Sequence, residues 1–195
     1  ARSMVTCTPN EPDRAEMEML AGIDPAPMLA RVETWSAINT GTRNLGGLAR
    51  QAELLANAFA ELPGNVSLEE PAPVTTMDGS GAEIELEHGK HLLLQVRPDA
   101  SRRFLLTGHM DTVFPADHPF QHTRWIDNET VNGPGTADMK GGIAVILAAL
   151  TAFETSPSAK AVGYDVMINS DEETGSLSSA NLISRLAQGK MAALT

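Results

Sequence analysis

FLLTGHMDT, residues 104–112, is a short apolar strand that runs directly into polar residues. YDVMINSDEE, residues 164–173, repeats this arrangement further along the chain. The spacing of apolar residues predicts a nearly all-apolar helix over Gly141–Phe153, between the two strands, and another helix over Leu177–Ala187. A strand, helix, strand, helix order predicts a parallel α/β core. In open α/β sheets the ligand crevice lies beyond the carboxyl ends of the strands, which is where both polar segments fall.

The chain before these strands is predicted to hold two amphipathic helices and a hairpin. The first helix begins at Pro25, with Asp24 as its cap, and the second runs from about Leu45 to Leu62. The strands of the predicted hairpin are Ala82–Glu87, which alternates glutamate with apolar residues, and the apolar run His91–Val96.

Length and charge narrow the class of protein. A chain of 195 residues can bury one core, so we expect one domain over residues 25–195. Residues 1–24 mix prolines and charges with little to bury, and we expect an N-terminal arm there. The formal net charge of −11, with no cluster of Lys and Arg among aromatic residues, argues against nucleic-acid binding.

Cysteine usage and apolar runs exclude further classes. Cys7 is the single cysteine, so neither an intrachain disulfide nor a thiolate metal cluster can form. The longest apolar run, Ile143–Leu150, is much shorter than the roughly 20 residues of a membrane-spanning helix, and no membrane span is expected. Ala1–Asn10 lacks a basic start followed by an apolar stretch. We expect a cytoplasmic protein, and the periplasm stays open because a mature chain would have lost its signal.

His109 and Asp111 form the first candidate pair for chemistry. Alternate residues of an extended chain point the same way, so the Asp111 carboxylate can accept a proton from one imidazole nitrogen of His109. The other nitrogen would then be held as a metal ligand. Taken alone, such a pair is more often a hydrogen-bonded pair at the surface than part of a metal site.

Asp138 is the second candidate, within the glycine-rich loop GPGTADMKGG, residues 133–142. A single aspartate in such a loop can offer one oxygen to each of two cations, which lie roughly 3.5 to 4 Å apart in two-metal sites. Asp138 could therefore bridge two metals. The alternative is an ordinary helix cap or turn former.

Three consecutive acids, Asp171, Glu172 and Glu173, form the third candidate. If they are partly buried, each carboxylate raises the pKa of its neighbours unless a cation or a shared proton relieves the repulsion. Adjacent side chains diverge, so one glutamate can bind a metal while the other acts as a general base. The alternative is a solvated acidic turn that caps the next helix. No role is assigned to Asp171.

An imidazole with carboxylates and no thiols is a ligand set that suits zinc, with cobalt or manganese as possible substitutes. The three motifs, in this order, resemble the di-zinc metallopeptidase and aminoacylase family. That family contains glutamate carboxypeptidase, acetylornithine deacetylase, succinyl-diaminopimelate desuccinylase and the aminoacylases. The resemblance covers Phe104 to Leu186, is greatest to the glutamate carboxypeptidase branch, and extends to Pro25–Val96 only in outline.

The resemblance implies a fold and a set of roles. The fold would be a three-layer α/β/α arrangement with a mixed, mostly parallel sheet. Two zinc ions are implied: His109 would bind one, Glu173 would bind the other, and Asp138 would bridge both. Asp111 would orient the imidazole and Glu172 would be the general base. The peptide bond between Asp138 and Met139 would be cis.

The resemblance also implies that residues 25–195 are the N-terminal part of a longer catalytic domain. The family needs a further carboxylate after the strand that is predicted to begin at Met191–Thr195, and a late histidine. Four other histidines lie in the wrong part of the chain to serve: His88, His91, His118 and His122. The family's lid and dimerisation domain would follow this point. We therefore expect a homodimer at full length, and low metal occupancy and no activity in the 195-residue chain alone.

The function implied is hydrolysis of an amide bond, of the carboxypeptidase or N-acyl amino acid deacylase type. Metal-bound water would attack the carbonyl, and Glu172 would take up its proton. The substrate would be a small peptide or an N-acyl amino acid. The alternative is a catalytically incomplete fragment or relative that serves as an assembly or binding module. A serine hydrolase is set aside, since the chain has no Gly-x-Ser-x-Gly elbow.

Overall fold

The computed structural model describes residues 12–195, so residues 1–11 of the predicted arm lie outside the described residues. The first element is the helix α1, Arg14–Ala21. Asp13 and Glu16 form a capping box at its start, in which each side chain accepts a hydrogen bond from the backbone N–H of the other. None of the residues of α1 is buried.

The next two helices begin where the sequence predicts. Helix α2 spans Pro25–Ser36, and the Asp24 side chain accepts a hydrogen bond from the backbone N–H of Ala26. Helix α3 spans Leu45–Phe59, three residues short of the predicted end at Leu62. Leu62 is nevertheless buried, because the chain after α3 still packs against the core.

Nine strands are present in the described part of the chain, five of them in a central sheet. In spatial order the central strands are β1 (Asn65–Glu69), β4 (His91–Val96), β8 (Val162–Asn169), β5 (Arg102–His109) and β9 (Ala192–Leu194). Two short pairs lie apart from this sheet: β2 (Thr75–Met77) with β3 (Glu83–Glu85), and β6 (Arg124–Trp125) with β7 (Val131–Asn132).

The central sheet is mixed. Strand β5 pairs in parallel with both β8 and β9, whereas β4 pairs antiparallel with both β1 and β8. The α/β class and the mixed sheet are confirmed, but the sheet is not mostly parallel, because two of its pairings are parallel and two are antiparallel.

The predicted hairpin of Ala82–Glu87 with His91–Val96 is wrong. Strand β3, inside the first segment, pairs with β2, while β4 lies between β1 and β8. Burial explains the difference. Five of the six residues of β4 are buried, so this strand needs a neighbour on each side, whereas all three residues of β3 are exposed.

Helices cover both faces of the sheet and give it three layers. Alternate residues of β4 and β8, such as Leu94 and Val166, pack against α2, α3 and the helix α4 (Gly141–Glu154). On the other face Leu93 and Met167 pack against the helix α5 (Ala180–Ala187). Helix α5 starts three residues after the predicted Leu177.

The segment Thr136–Glu154 is long and apolar enough to cross a membrane by length and composition alone. Its backbone leaves helical geometry at Asp138 and Met139, so the regular helix α4 has 14 residues. At 1.5 Å per residue this is roughly 21 Å, shorter than the roughly 30 Å of a bilayer core. Ile143, Leu147 and other residues of α4 are buried against the sheet. These are the features of a core helix.

Substitution of Leu147 by alanine tests the packing of α4. The Leu147 side chain is fully buried, so we expect Leu147→Ala to lower the free energy of unfolding by about 2–5 kcal/mol. Val145 on the same helix is 54% exposed, and Val145→Ala is the matched control with an expected change below about 0.5 kcal/mol. Denaturant unfolding of the two variants measures the difference. Equal losses would contradict the burial of this face of α4.

Candidate metal centre

The predicted site residues other than Asp138 lie at the carboxyl ends of two neighbouring parallel strands. His109 is the last residue of β5, and its register partner on β8 is Asn169, the last residue of that strand. Glu172 and Glu173 follow β8 in a single helical turn, Glu172–Thr174. Asp138 comes from the turn Thr136–Lys140 that precedes α4. Segments far apart in sequence therefore meet at one edge of the sheet.

Three of these side chains form a group that could hold a metal ion. The ligand atoms of His109, Asp138 and Glu173 all lie within 4.8 Å of one another. The Nε2 atom of His109 is 3.0 Å from Oδ1 of Asp138 and 3.9 Å from Oε2 of Glu172. An imidazole and carboxylates at this separation suit a divalent cation such as zinc.

Asp111 is the buried anchor beneath this group. Its carboxylate accepts a hydrogen bond from the Thr42 hydroxyl at 2.7 Å and from the backbone N–H groups of Glu172 and Glu173 at 3.2 Å each. The Nδ1 atom of His109 lies 3.4 Å from the carboxylate and 3.1 Å from the backbone carbonyl of Asp111. Asp111 thus holds Nδ1 on one side of the ring, and Nε2 points to the other carboxylates.

The electrostatics of the group favour positive charge at its centre. Burial alone lowers the pKa of His109, but the carboxylates of Asp111 and Asp138 outweigh it and raise the pKa to about 9. Burial raises the pKa of Glu173 above its ordinary value, and the carboxylates of Asp138, Asp111 and Glu172 add to this against the effect of His109. A bound cation would relieve the repulsion among these carboxylates.

The turn that carries Asp138 has two notable features. The peptide bond between Asp138 and Met139 is cis, as the resemblance implies. Lys140 is buried, and its ammonium donates hydrogen bonds to the carbonyls of Trp35 at 3.0 Å and Ile38 at 2.9 Å. Burial lowers the pKa of Lys140 to about 8. Lys140 therefore ties the turn to the carboxyl end of α2, where carbonyl groups attract a cation.

Asp171, left without a role by the sequence, supports the loop that carries Glu172 and Glu173. Its buried carboxylate accepts hydrogen bonds from the backbone N–H and the hydroxyl of Ser178, at 2.7 and 2.8 Å, and from the Ser179 hydroxyl at 2.7 Å. Burial by itself raises the pKa of Asp171, but these hydrogen bonds outweigh it and the pKa lies below its ordinary value. Ser178 and Ser179, the donors of these bonds, are the two residues directly before α5.

Sequence reasoning missed the parts played by Lys140, Asp171 and Thr42. A lysine directly before an apolar helix was the one local signal for Lys140. Thr42 lies 69 residues before Asp111, and no local pattern connects them.

A cleft of about 530 Å³ opens beside the centre. Its walls are formed by segments 41–44 and 112–116, and Glu173 and Thr174 also line it. The two walls are joined by the Asn39 side chain, whose amide donates to the carbonyl of Phe114 at 3.0 Å. The cleft is thus a preformed space next to a candidate metal ligand.

Comparison with known proteins supports this picture. Residues 105–194 match the model of Peptidase family M20/M25/M40. Carboxypeptidase G2 of Pseudomonas sp. (strain RS-16) is 31% identical over 173 residues, which are 86% of this chain and 38% of that protein. Acetylornithine deacetylase of Vibrio campbellii is 34% identical over 137 residues, 66% of this chain and 30% of that protein.

A solved structure shares the fold. Human carnosine dipeptidase 1 superposes with a TM-score of 0.69 at 19% identity, over 90% of this chain and 38% of that one. The chain thus spans less than two fifths of the length of each of these three proteins. The resemblance inferred from the three motifs is confirmed, because residues 105–194 match Peptidase family M20/M25/M40 and the chain is similar to the two enzymes named above.

Proposed function

We propose that the full-length protein is a metal-dependent hydrolase that cleaves an amide bond of a small peptide or an N-acyl amino acid. The observation that supports this most directly is the convergence of His109, Asp138 and Glu173, with the Glu172 carboxylate beside them. The names of two relatives, a carboxypeptidase and a deacetylase, agree with an amide as the bond that is cleaved.

We further propose two zinc ions in the centre, with cobalt or manganese as substitutes. His109 would bind one ion, Glu173 the other, and Asp138 both. When bound, the metal would polarise the scissile carbonyl and lower the pKa of the attacking water. The Asp138 side chain is 78% exposed, so its second oxygen is free to face an ion on the solvent side.

Glu172 has the properties of a general base. Its side chain is 54% exposed, so it can reach a water molecule above the centre, and its backbone N–H is held by Asp111. A carboxylate in this position would accept the proton of the attacking water and then pass it to the leaving nitrogen. Asp111 is a positioning residue, because it acts through the imidazole of His109 and the loop of Glu172.

Substitution of Glu172 by glutamine tests the general base. Glu172→Gln keeps the size of the side chain and removes its basicity, so we expect kcat of the full-length enzyme to fall by roughly 10²- to 10⁴-fold. Zinc content should stay unchanged, because Glu172 is not among the proposed ligands. Glu53→Gln, at an exposed position on α3, is the control and should keep full activity. Unchanged turnover in Glu172→Gln would remove the mechanism proposed here.

Substitution of Asp111 by asparagine tests the positioning role. Asp111→Asn replaces one carboxylate oxygen by a donor that cannot accept the Thr42 or glutamate-loop hydrogen bonds, so the imidazole and loop lose their alignment. We expect zinc affinity to fall by roughly 10- to 100-fold. Competition with a chromophoric chelator measures it, with the exposed Asp99→Asn as control. Equal zinc affinity in both variants would contradict the role of Asp111.

The 195-residue chain by itself offers few metal ligands, and its affinity for zinc can be measured. The described residues bring together three donor side chains, which would be one bridge and one end ligand for each of two ions. A zinc ion usually takes about four ligands, so these three side chains are too few for two ions. We expect this chain to bind zinc weakly and to hydrolyse amides little. Calorimetric titration with zinc checks this, and two tight sites would overturn the expectation.

A second candidate function, assembly or partner binding without catalysis, is favoured by one observation. All three residues of strand β9 are exposed, and next to the strand lies an apolar hollow of about 260 Å³ lined by residues that include Phe104, Phe153 and Leu194. An exposed strand edge and apolar surface favour association. The Glu172→Gln variant separates the two functions, because an assembly module does not need a general base.

A further inference from the structure

Arg43 stands out among the residues that line the cleft beside the metal centre. Of the described residues on its walls, Arg43 alone carries a positive charge, and the cleft also contains Glu173. The net charge of the chain is −11, and the centre itself is rich in carboxylates. An anionic substrate would be repelled from this region unless a local cation received it.

We propose that Arg43 binds a carboxylate of the substrate and so selects amides that carry a free carboxylate. The inference deepens the proposed hydrolase function and rests on it. Arg43 is then a specificity-determining residue for a carboxylate on either the acyl part or the amine part of the substrate.

Among the described residues, the neighbours of Arg43 hold its guanidinium through a single nitrogen. Its Nη1 atom lies 3.2 Å from the carbonyl oxygen of Glu87 and 3.3 Å from Nε2 of His88. The Nδ1 atom of His88 lies 2.8 Å from the carbonyl of Leu86, an acceptor, so Nδ1 carries the hydrogen. Nε2 of His88 is then an acceptor for Arg43. A histidine nitrogen and a carbonyl oxygen, neither of which carries a negative charge, thus orient the arginine without neutralising its charge.

The remaining edge of the guanidinium matches a carboxylate. Within residues 12–195, Nε and Nη2 of Arg43 have no hydrogen-bond acceptor, and no carboxylate oxygen lies within 4.0 Å of the guanidinium. These two nitrogens form a planar pair of donors, which a carboxylate can accept with both oxygens. Arg43 is exposed, so a ligand in the cleft can reach it.

The backbone around Arg43 is attached to the metal centre. Thr42, the preceding residue, donates its hydroxyl hydrogen bond to Asp111, which also holds the Glu172 loop. The N–H of Thr112 donates to the carbonyl of Thr40 at 2.9 Å, and Gly41 forms a β-bridge with Thr112. The backbone that leads into Arg43 is therefore fixed relative to the centre, as the attachment point of a specificity residue must be.

Hydrolysis of matched substrate pairs by the full-length enzyme tests the proposal. One pair is N-acetyl-leucine and its α-carboxamide, and the other is N-succinyl-leucine amide and N-succinamoyl-leucine amide. We expect Arg43→Met to lower kcat/KM by roughly 10- to 100-fold for the carboxylate member of at least one pair. The carboxamide member should change by less than about threefold. The pair that responds identifies the side on which the carboxylate lies.

Two further variants control this experiment. Arg43→Lys keeps the charge and loses the paired donors, so it should recover part of the preference for the carboxylate. Arg50→Met, at an exposed position on α3, makes the same chemical change away from the cleft and should keep the wild-type preference. Equal losses for both members of each pair, or no loss, would overturn the proposal while Glu172→Gln still abolishes hydrolysis.

A binding measurement separates failure of this proposal from failure of the hydrolase function. Glutarate is the probe, and neutral glutaramide is its control. Each is added to protein that carries ¹⁵N-labelled arginine, in a buffer that contains a metal chelator. The Nε–H resonance that disappears in Arg43→Lys should shift saturably with glutarate and stay in place with glutaramide. A shift supports the carboxylate site even if the enzyme hydrolyses none of the amides, and an unmoved resonance overturns it.

Discussion

The buried carboxylate of Asp111 is the interaction on which the candidate site depends. A carboxylate removed from water is costly unless hydrogen bonds replace its hydration. The Thr42 hydroxyl and the N–H groups of Glu172 and Glu173 supply those bonds. One charge therefore draws together the end of β5, the loop after β8 and the connection between α2 and α3.

The centre is rigid at its base and open at its surface. His109 and Asp111 are buried and closely bonded, whereas most of the side chain of Asp138 and about half of that of Glu172 are exposed. Such a division suits a metallohydrolase, because a ligand must be held in place while a base must reach water and substrate. Lys140 and Asp171 extend the rigid base, since each is buried and bonded beneath a segment that carries a candidate ligand or base.

The connection between α2 and α3 faces the anionic centre with one residue and the open cleft with the next. Thr42 faces inward to the anionic centre, and Arg43, the next residue, lines the open cleft. A surrounding of carboxylates attracts the metal but repels an acidic substrate. The guanidinium of Arg43, near that centre, allows an acidic substrate to bind beside the carboxylates that hold the metal. His88 orients this guanidinium without neutralising its charge.

Local information in the sequence was sufficient for the helices α2 and α4, for the strands β5 and β8, and for the donor residues that follow them. Apolar periodicity and the polar residues at strand ends are properties of neighbouring positions. The partners of β3 and β4 were decided only by the tertiary structure, as were the bonds of Lys140 to residues up to 105 positions away. Such contacts depend on which distant surfaces lose water together, and a single stretch of sequence does not carry that information.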